Sequence, residues 1–385
     1  MARFREQIEG ALRELEETGL LRRPFRIDGP QGPEIRLDGR QVLCFCSNNY
    51  LGLADHPDLL AAAEESEGYG AGASRLITGT MTAHEEAERA LADFVSVPAA
   101  ALFANGYAAN VGTIQALVRQ GDAVFSDALN HASLIDGCRL SRASIHVYRH
   151  RDTEHLESLL RAHRSRAERA LIVTDSLFSM DGVTAPLREL ARLAQSYDTG
   201  LLVDEAHALG VFGREGSGLS AAAEIIPDVL IGTLGKAFGG AGAFVAATED
   251  TVSLVRNRAR SYVYSTAPPP SAARAALAAL SLVRRASEAR TTLLRHSSTL
   301  RTGLRDLGYE VPPGDSQILP VMIGDNDRTM RLSAGLLEQG VFVQGIRPPT
   351  VSRGTARLRL TPMATHRQEH IDRVIDAFAS LARDN

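Results

Sequence analysis

The sequence predicts an α/β fold, a mostly parallel sheet covered by helices with a smaller α+β region after it. Three observations carry that prediction. Seven short apolar runs lie between residues 100 and 250, and several lack polar alternation, as strands buried on both faces require. The segments between them, such as PLRELARLAQSY and TEHLESLLRAHRSRAERA, place apolar residues at helical spacing. From about residue 268 the text changes to long helical stretches and short β-like runs.

In chain order, the first 40 or so residues read as an amphipathic helix and a Pro/Gly-rich turn, DGPQGPEIRLDG. The strand candidates are AALFAN (100–105), DAVFSD (122–127), ASIHVYRH (143–150), RALIVTDS (169–176), TGLLVDEA (199–206), DVLIGTLG (228–235) and GAFVAAT (242–248). Their alternation with helices argues for parallel pairing. PPPSAARAALAALSLVRRASEARTTLLRHSSTLRTGLRDLG reads as one or two long helices. SQILPVMIG, VFVQGIRPP and ARLRLTP are short strands, and HIDRVIDAFASLARDN is a closing amphipathic helix. The expected division is a helix and arm over 1–44, a large α/β domain over 45–285 and a small α+β domain over 286–385.

Composition excludes several classes. With 385 residues, 44% hydrophobic and 23% charged, the chain is not disordered. A net charge of −4 gives no footprint for nucleic acid. No apolar run approaches the roughly 18 residues of a membrane helix, and the Glu-rich start lacks the pattern of a signal peptide. Cys44, Cys46 and Cys138 have neither zinc nor CxxC spacing, so ordinary thiols and no metal are expected. A cytoplasmic protein is the expectation.

Asp204 and Lys236 form the most informative pair. Asp204 follows the apolar run GLLV, at the carboxyl end of a predicted strand, where α/β sheets place ligands. Lys236 follows VLIGTLG among Gly235, Gly239 and Gly240, in a chain whose other basic residues are mostly Arg. A Schiff base with an aldehyde cofactor, with an Asp on a pyridinium nitrogen, would use both residues and points to pyridoxal phosphate. A strand-end salt bridge is the alternative. Asp204-Glu205-Ala206-His207 spells a helicase DEAH box, but Gly235-Lys236 does not complete a phosphate loop. Gly68-Tyr69-Gly70-Ala71-Gly72 follows a helical segment and lacks the third glycine of a dinucleotide fingerprint.

Other candidates sit at further strand ends. Gly106 and Tyr107 open a helix, whose N-terminus offers N–H groups to an anion. Thr233, Ser265 and Thr266 are further phosphate candidates, each also readable as a cap or turn. His131 and Ser179 follow two more strands. Arg347 precedes Pro348-Pro349, and Arg357 and Arg359 share one face of a strand by period two. Carboxylate binding and solvent-facing charge are equally open for that pair.

Eight ordered motifs resemble the α-oxoamine synthases, pyridoxal phosphate enzymes of the aspartate aminotransferase-like fold (fold type I). They are SNNYLGLADHP (47–57), GAGASRLITGTMTAHEEAE (70–88), NHASLIDG (130–137), SLFSMDGVTAPL (176–187), VDEAHALGVFGREGSG (203–218), GTLGKAFGGAGAF (232–244), YSTAPPP (264–270) and IRPPTVSRGTARLRLTP (346–362). The resemblance runs from about residue 20 to the end and implies a large, mostly parallel seven-stranded sheet domain with a smaller α+β domain. It implies that Lys236 bonds the cofactor, Asp204 holds its ring nitrogen and His131 stacks on the ring. His207 and Ser179 would bond its phenolic oxygen. Gly106, Tyr107 and Thr233 would bind its phosphate, with Ser265 and Thr266 reaching in from a second subunit of a homodimer. Asn48 and Arg359 would hold an amino acid carboxylate. Within the family, the IRPPT segment is similar to members that join L-alanine to a pimeloyl thioester; glycine with acetyl-CoA, or a non-catalytic cofactor-binding protein, is the alternative. A pimeloyl chain ends in a carboxylate, for which Arg347, Arg22 and Arg23 are the candidate cations.

Overall fold

The computed structural model describes residues 2–383. The chain divides into two compact units, one of residues 48–179 and 183–291, the other of residues 1–47, 180–182 and 292–385.

The first unit is built on seven strands: β1 (Ala99–Phe103), β2 (Ala123–Asp127), β3 (Ser144–Tyr148), β4 (Ala170–Asp175), β5 (Gly200–Asp204), β6 (Val229–Thr233) and β7 (Ala243–Ala247). They lie in the order β1-β7-β6-β5-β4-β2-β3. β7 is antiparallel to β1 and β6, and every other pairing is parallel. Because β7 alone reverses, β1, β2, β4, β5 and β6 all end at the same edge. The expected mostly parallel sheet is what the chain forms.

The apolar runs fill two cores. Leu202 of β5 joins Phe103, Ile114, Leu134 and Ile231 on one face of the sheet. Its neighbours Leu201 and Val203 join Phe125, Ile172 and Leu190 on the other. Period two divides them, and each fully buried side chain is worth about 1.5–3 kcal/mol. β3 departs from the pattern of burial on both faces. It closes one edge of the sheet, and its Ile145 and Val147 are 38% and 55% exposed. Place in the sheet, not apolar content, decides burial there.

In the second unit, β8 (Leu319–Gly324), β9 (Gln344–Ile346) and β10 (Ala356–Leu360) form an antiparallel sheet in the order β8-β10-β9. A four-stranded sheet runs Ile27–Asp28, Glu34–Leu37, Arg40–Cys44, Val341–Phe342. The segment expected as a separate arm over 1–44 is thereby part of this unit. Leu43 pairs with Val341, and Leu43 and Phe45 share a core with Leu358, Val374 and Phe378. The helical text beyond 268 resolves into helices Pro270–Arg285 and Ser287–Asp306.

Candidate active site

The common edge of β1, β2, β4, β5 and β6 gathers most of the predicted polar groups of the large unit. Asp204 ends β5 and is buried. Its Oδ2 accepts from Asn110 Nδ2 at 2.6 Å and its Oδ1 from the Ala206 N–H at 2.8 Å. Asn110 lies on helix Gly106–Leu117 and also donates to Ser133 Oγ at 2.8 Å. Both donors to the carboxylate are neutral groups.

His131 caps helix Ala132–Ser141 after β2. Its backbone N–H donates to Asp175 Oδ2 at 2.7 Å, and its Nδ1 lies 2.7 Å from Ser133 Oγ. Burial holds the imidazole below its usual range; the Asp204 carboxylate opposes that effect and the Lys236 ammonium adds to it. His131, Asp204 and Lys236 thus lie in one another's field. Asp175 feels the same two groups, and its acid is pushed well up, first by burial and then by the Asp204 charge.

Lys236 sits in a loop after β6 closed by Leu234 N–H to Gly242 O at 3.0 Å and Gly240 N–H to Leu234 O at 2.8 Å. Gly239 has φ +66°, and a Cβ there would lie 2.3 Å from the carbonyl carbon of Leu53, so glycine alone fits. Thr233 receives the Gly235 N–H at 3.3 Å on Oγ1. A Cβ added at Gly106 would come 4.0 Å from the same Oγ1, which places the start of helix Gly106–Leu117 beside Thr233. Free N–H groups at that helix start and the hydroxyl make an anion cradle. The Tyr107 ring is half exposed and its hydroxyl donates to Asp136.

His207 Nδ1 lies 2.6 Å from the hydroxyl of fully buried Tyr50, which donates to Asn48 Oδ1 at 3.1 Å. Ser179 is half-buried beyond β4. Thr266 is exposed and bridges to Ser74, with Ser265 half-buried beside it.

In the small unit, Arg357 and Arg359 of β10 are both buried, so the solvent-facing alternative fails. Arg357 pairs with Asp181 at 2.5 Å and donates to Met180 O at 3.2 Å. Arg359 acts electrostatically on Cys46. Arg347, a candidate for the distal carboxylate, is buried: Nε donates to Gly19 O at 2.9 Å and Nη2 to Leu21 O at 3.2 Å. Arg22 and Arg23 are exposed, and Arg22 donates to Thr350 Oγ1 at 3.1 Å. A cavity of about 930 Å³ is lined by Arg22, Arg23, Phe25, Met330 and Arg347. Cys44 and Cys138 are buried free thiols, and Cys46 is half-buried.

Sequence reasoning missed Asn110, Tyr50 and Ser133. Asn110 stands one helical turn beyond Gly106, on the same face, a spacing that could have flagged it. Tyr50 and Ser133 lie within the motifs SNNYLGLADHP and NHASLIDG but were not singled out there. A stronger signal was also available: Lys236 is the only lysine in the 385 residues.

Residues 40–378 match the family described as aminotransferase class I and II. The 8-amino-7-oxononanoate synthase of Geobacter sulfurreducens is 48% identical over 384 residues, 98% of each chain. A serine palmitoyltransferase from S. paucimobilis, solved with a bound PLP–myriocin aldimine, superposes with a TM-score of 0.93 at 31% identity, covering 98% of this chain and 97% of that one. The 8-amino-7-oxononanoate synthase of Francisella tularensis gives a TM-score of 0.75 at 26% identity, covering 89% and 98%.

Proposed function

The chain belongs to the class I and II aminotransferase family, with 8-amino-7-oxononanoate synthases as full-length relatives, and from that premise we propose that it condenses L-alanine with a pimeloyl thioester. The products are 8-amino-7-oxononanoate, carbon dioxide and the free thiol carrier, a step of biotin biosynthesis. The observation that carries this reading is 48% identity to a synthase of that name over 98% of both chains, against 31% to a serine palmitoyltransferase of similar shape.

The residues fit pyridoxal 5′-phosphate. A buried Asp204, a lysine among glycines and an anion cradle at one sheet edge match its ring nitrogen, aldehyde and phosphate. When bound, the cofactor supplies an aldehyde for the substrate amine and a ring that draws electrons from the α-carbon. Asp204 keeps a proton on the ring nitrogen by its fixed negative charge. His131, held neutral by burial, covers the ring face without adding charge. Lys236 would hold the aldehyde, and its amine would be the base for the α-proton of alanine. His207, oriented by Tyr50, would hold the phenolic oxygen together with Ser179. Gly106, Tyr107 and Thr233 would hold the phosphate. Asn48 and Arg359 are assigned to the alanine carboxylate, and Arg22 to the distal carboxylate of the acyl chain.

The working form is a homodimer with shared sites. Tyr69, Ile77 and Tyr264 are 73–88% exposed, an unusual display of large apolar groups, and Tyr264 adjoins Ser265 and Thr266. Those two residues serve the phosphate of the neighbouring subunit. No described helix is long and apolar enough to cross a membrane, and the free thiols suit a reducing cytoplasm.

The purified protein with cofactor is assayed with alanine and glycine against pimeloyl-CoA and acetyl-CoA. Mass spectrometry should find 8-amino-7-oxononanoate from alanine with pimeloyl-CoA. Faster turnover of glycine with acetyl-CoA overturns the substrate assignment.

A further inference from the structure

Two carboxylates stand side by side at the ends of neighbouring strands. β4 and β5 are parallel, and Asp175 is in register with Asp204, so both side chains leave the same face of the sheet. They are 4% and 5% exposed. Two buried like charges at that spacing repel strongly, and pairs of this kind relieve the repulsion by keeping one proton.

Their surroundings decide which of them keeps it. Asp204 accepts two N–H bonds, from Asn110 and Ala206. Asp175 accepts one, from the His131 backbone. The other titratable groups facing Asp175 are Asp127 on β2, Tyr148 on β3 and Lys236 beyond β6. Asp127, itself bonded to His150 Nδ1 at 2.9 Å, disfavours a charge on Asp175, and Lys236 favours one. Burial is the largest influence and acts with Asp204 and Asp127 against the His131 N–H and Lys236.

We propose that Asp175 is a positioning residue, a neutral carboxylic acid that fixes His131 through its backbone N–H and leaves Asp204 as the charge that meets the cofactor ring. This rests on the reading of the edge as a pyridoxal phosphate site. A second ionised carboxylate beside Asp204 would compete for the ring proton. A neutral acid gives the His131 N–H its acceptor and adds no charge.

Infrared difference spectra, wild type minus Asp175→Asn, read the protonation directly at about pH 7, roughly three units above the ordinary Asp value. The band lost in the variant should be the carbonyl stretch of a protonated acid, shifted in heavy water and present with or without cofactor. Loss of a carboxylate band instead overturns the proposal. In absorbance titrations, Asp175→Ala should weaken pyridoxal phosphate binding about tenfold, and Asp175→Asn should restore it to within about threefold of wild type. Equal losses in both variants would also overturn it, because a charge would then be required. Should Asp175→Asn not fold, the acid band of wild type must persist from about pH 6 to about pH 8; its disappearance within that range contradicts the proposal. A wild type that shows the acid band but titrates no pyridoxal phosphate defeats the cofactor reading alone.

Discussion

The carboxyl edge of the large sheet and strand β10 of the small unit both bury charge, and they treat it differently. Asp204 is held by an asparagine amide and a backbone N–H, both neutral donors. Arg357 faces Asp181 and a carbonyl, so its charge is matched within the protein. Arg347 is held by neutral groups, the carbonyls of Gly19 and Leu21, and so falls on the side of Asp204. A buried charge held by neutral donors is available to a ligand, whereas one matched by an opposite charge serves the fold.

The sharpest break of that contrast is at Lys236. Lys236→Ala should cut turnover by about 10²–10⁴ or more, while the protein folds and retains some cofactor through the phosphate cradle. The visible absorbance of lysine-bound cofactor should vanish with it. Steady-state synthesis within about tenfold of wild type would remove Lys236 from the base role.

The two arginines of β10 give the next test. Arg359→Ala should weaken alanine binding by about 2–3 kcal/mol, the worth of a charge-assisted contact. Arg357→Ala should leave alanine binding nearly intact and cost about 1.5–3 kcal/mol of stability, because Asp181 loses its partner. Alanine titrations and thermal melts separate these outcomes. Larger loss of alanine binding in Arg357→Ala would reverse the roles.

How far the sequence reached follows the same line. Strand ends were legible because buried parallel strands are apolar along their length, so Asp204 and Thr233 stand out against the runs before them, whereas Asp175 was passed over. The fate of each arginine was not legible. Arg357 and Asp181 are 176 residues apart, and Arg347 and Gly19 are 328 apart, so only the folded chain joins them. Asn110 and Tyr50 stayed hidden for the same reason, since their partners Asp204 and His207 are 94 and 157 residues away. β3 misled because composition reports apolarity, not position in a sheet.

Arg347 offers a smaller effect. Arg347→Ala removes the donor to the carbonyls of exposed Gly19 and half-buried Leu21 and should cost about 0.5–1.5 kcal/mol. Limited proteolysis should then cut within residues 18–26 sooner. Arg22→Ala should leave stability unchanged and lower kcat/KM for pimeloyl-CoA but not for an uncharged acyl-CoA of similar length. Equal losses for both donors would remove Arg22 from the distal carboxylate.

The smallest effect belongs to His366, stacked on Phe45 at 4.0 Å between ring centroids. Burial and the neighbouring His370 and His296 push its imidazole down to about 3. In the unfolded chain it gains a proton near its ordinary value of about 6.5, so below that pH the unfolded state binds more protons. Stability should fall as pH drops from about 6 towards about 4, by at most about 1.4 kcal/mol per unit from this group. His366→Gln should flatten that slope in denaturant titrations. An unchanged slope would mean that His366 titrates normally.

The presence of one lysine in the chain allows the central claim to be tested in a single measurement. Protein loaded with pyridoxal phosphate is reduced with borohydride, which fixes a cofactor aldehyde onto the amine that holds it, and is then digested and mapped by mass spectrometry. The account predicts one cofactor per chain, on the peptide that contains Lys236, and a mass shift that disappears when alanine is added in excess before reduction. Cofactor found only on the N-terminal amine, or an unmodified Lys236 peptide in protein that still makes product, would contradict it.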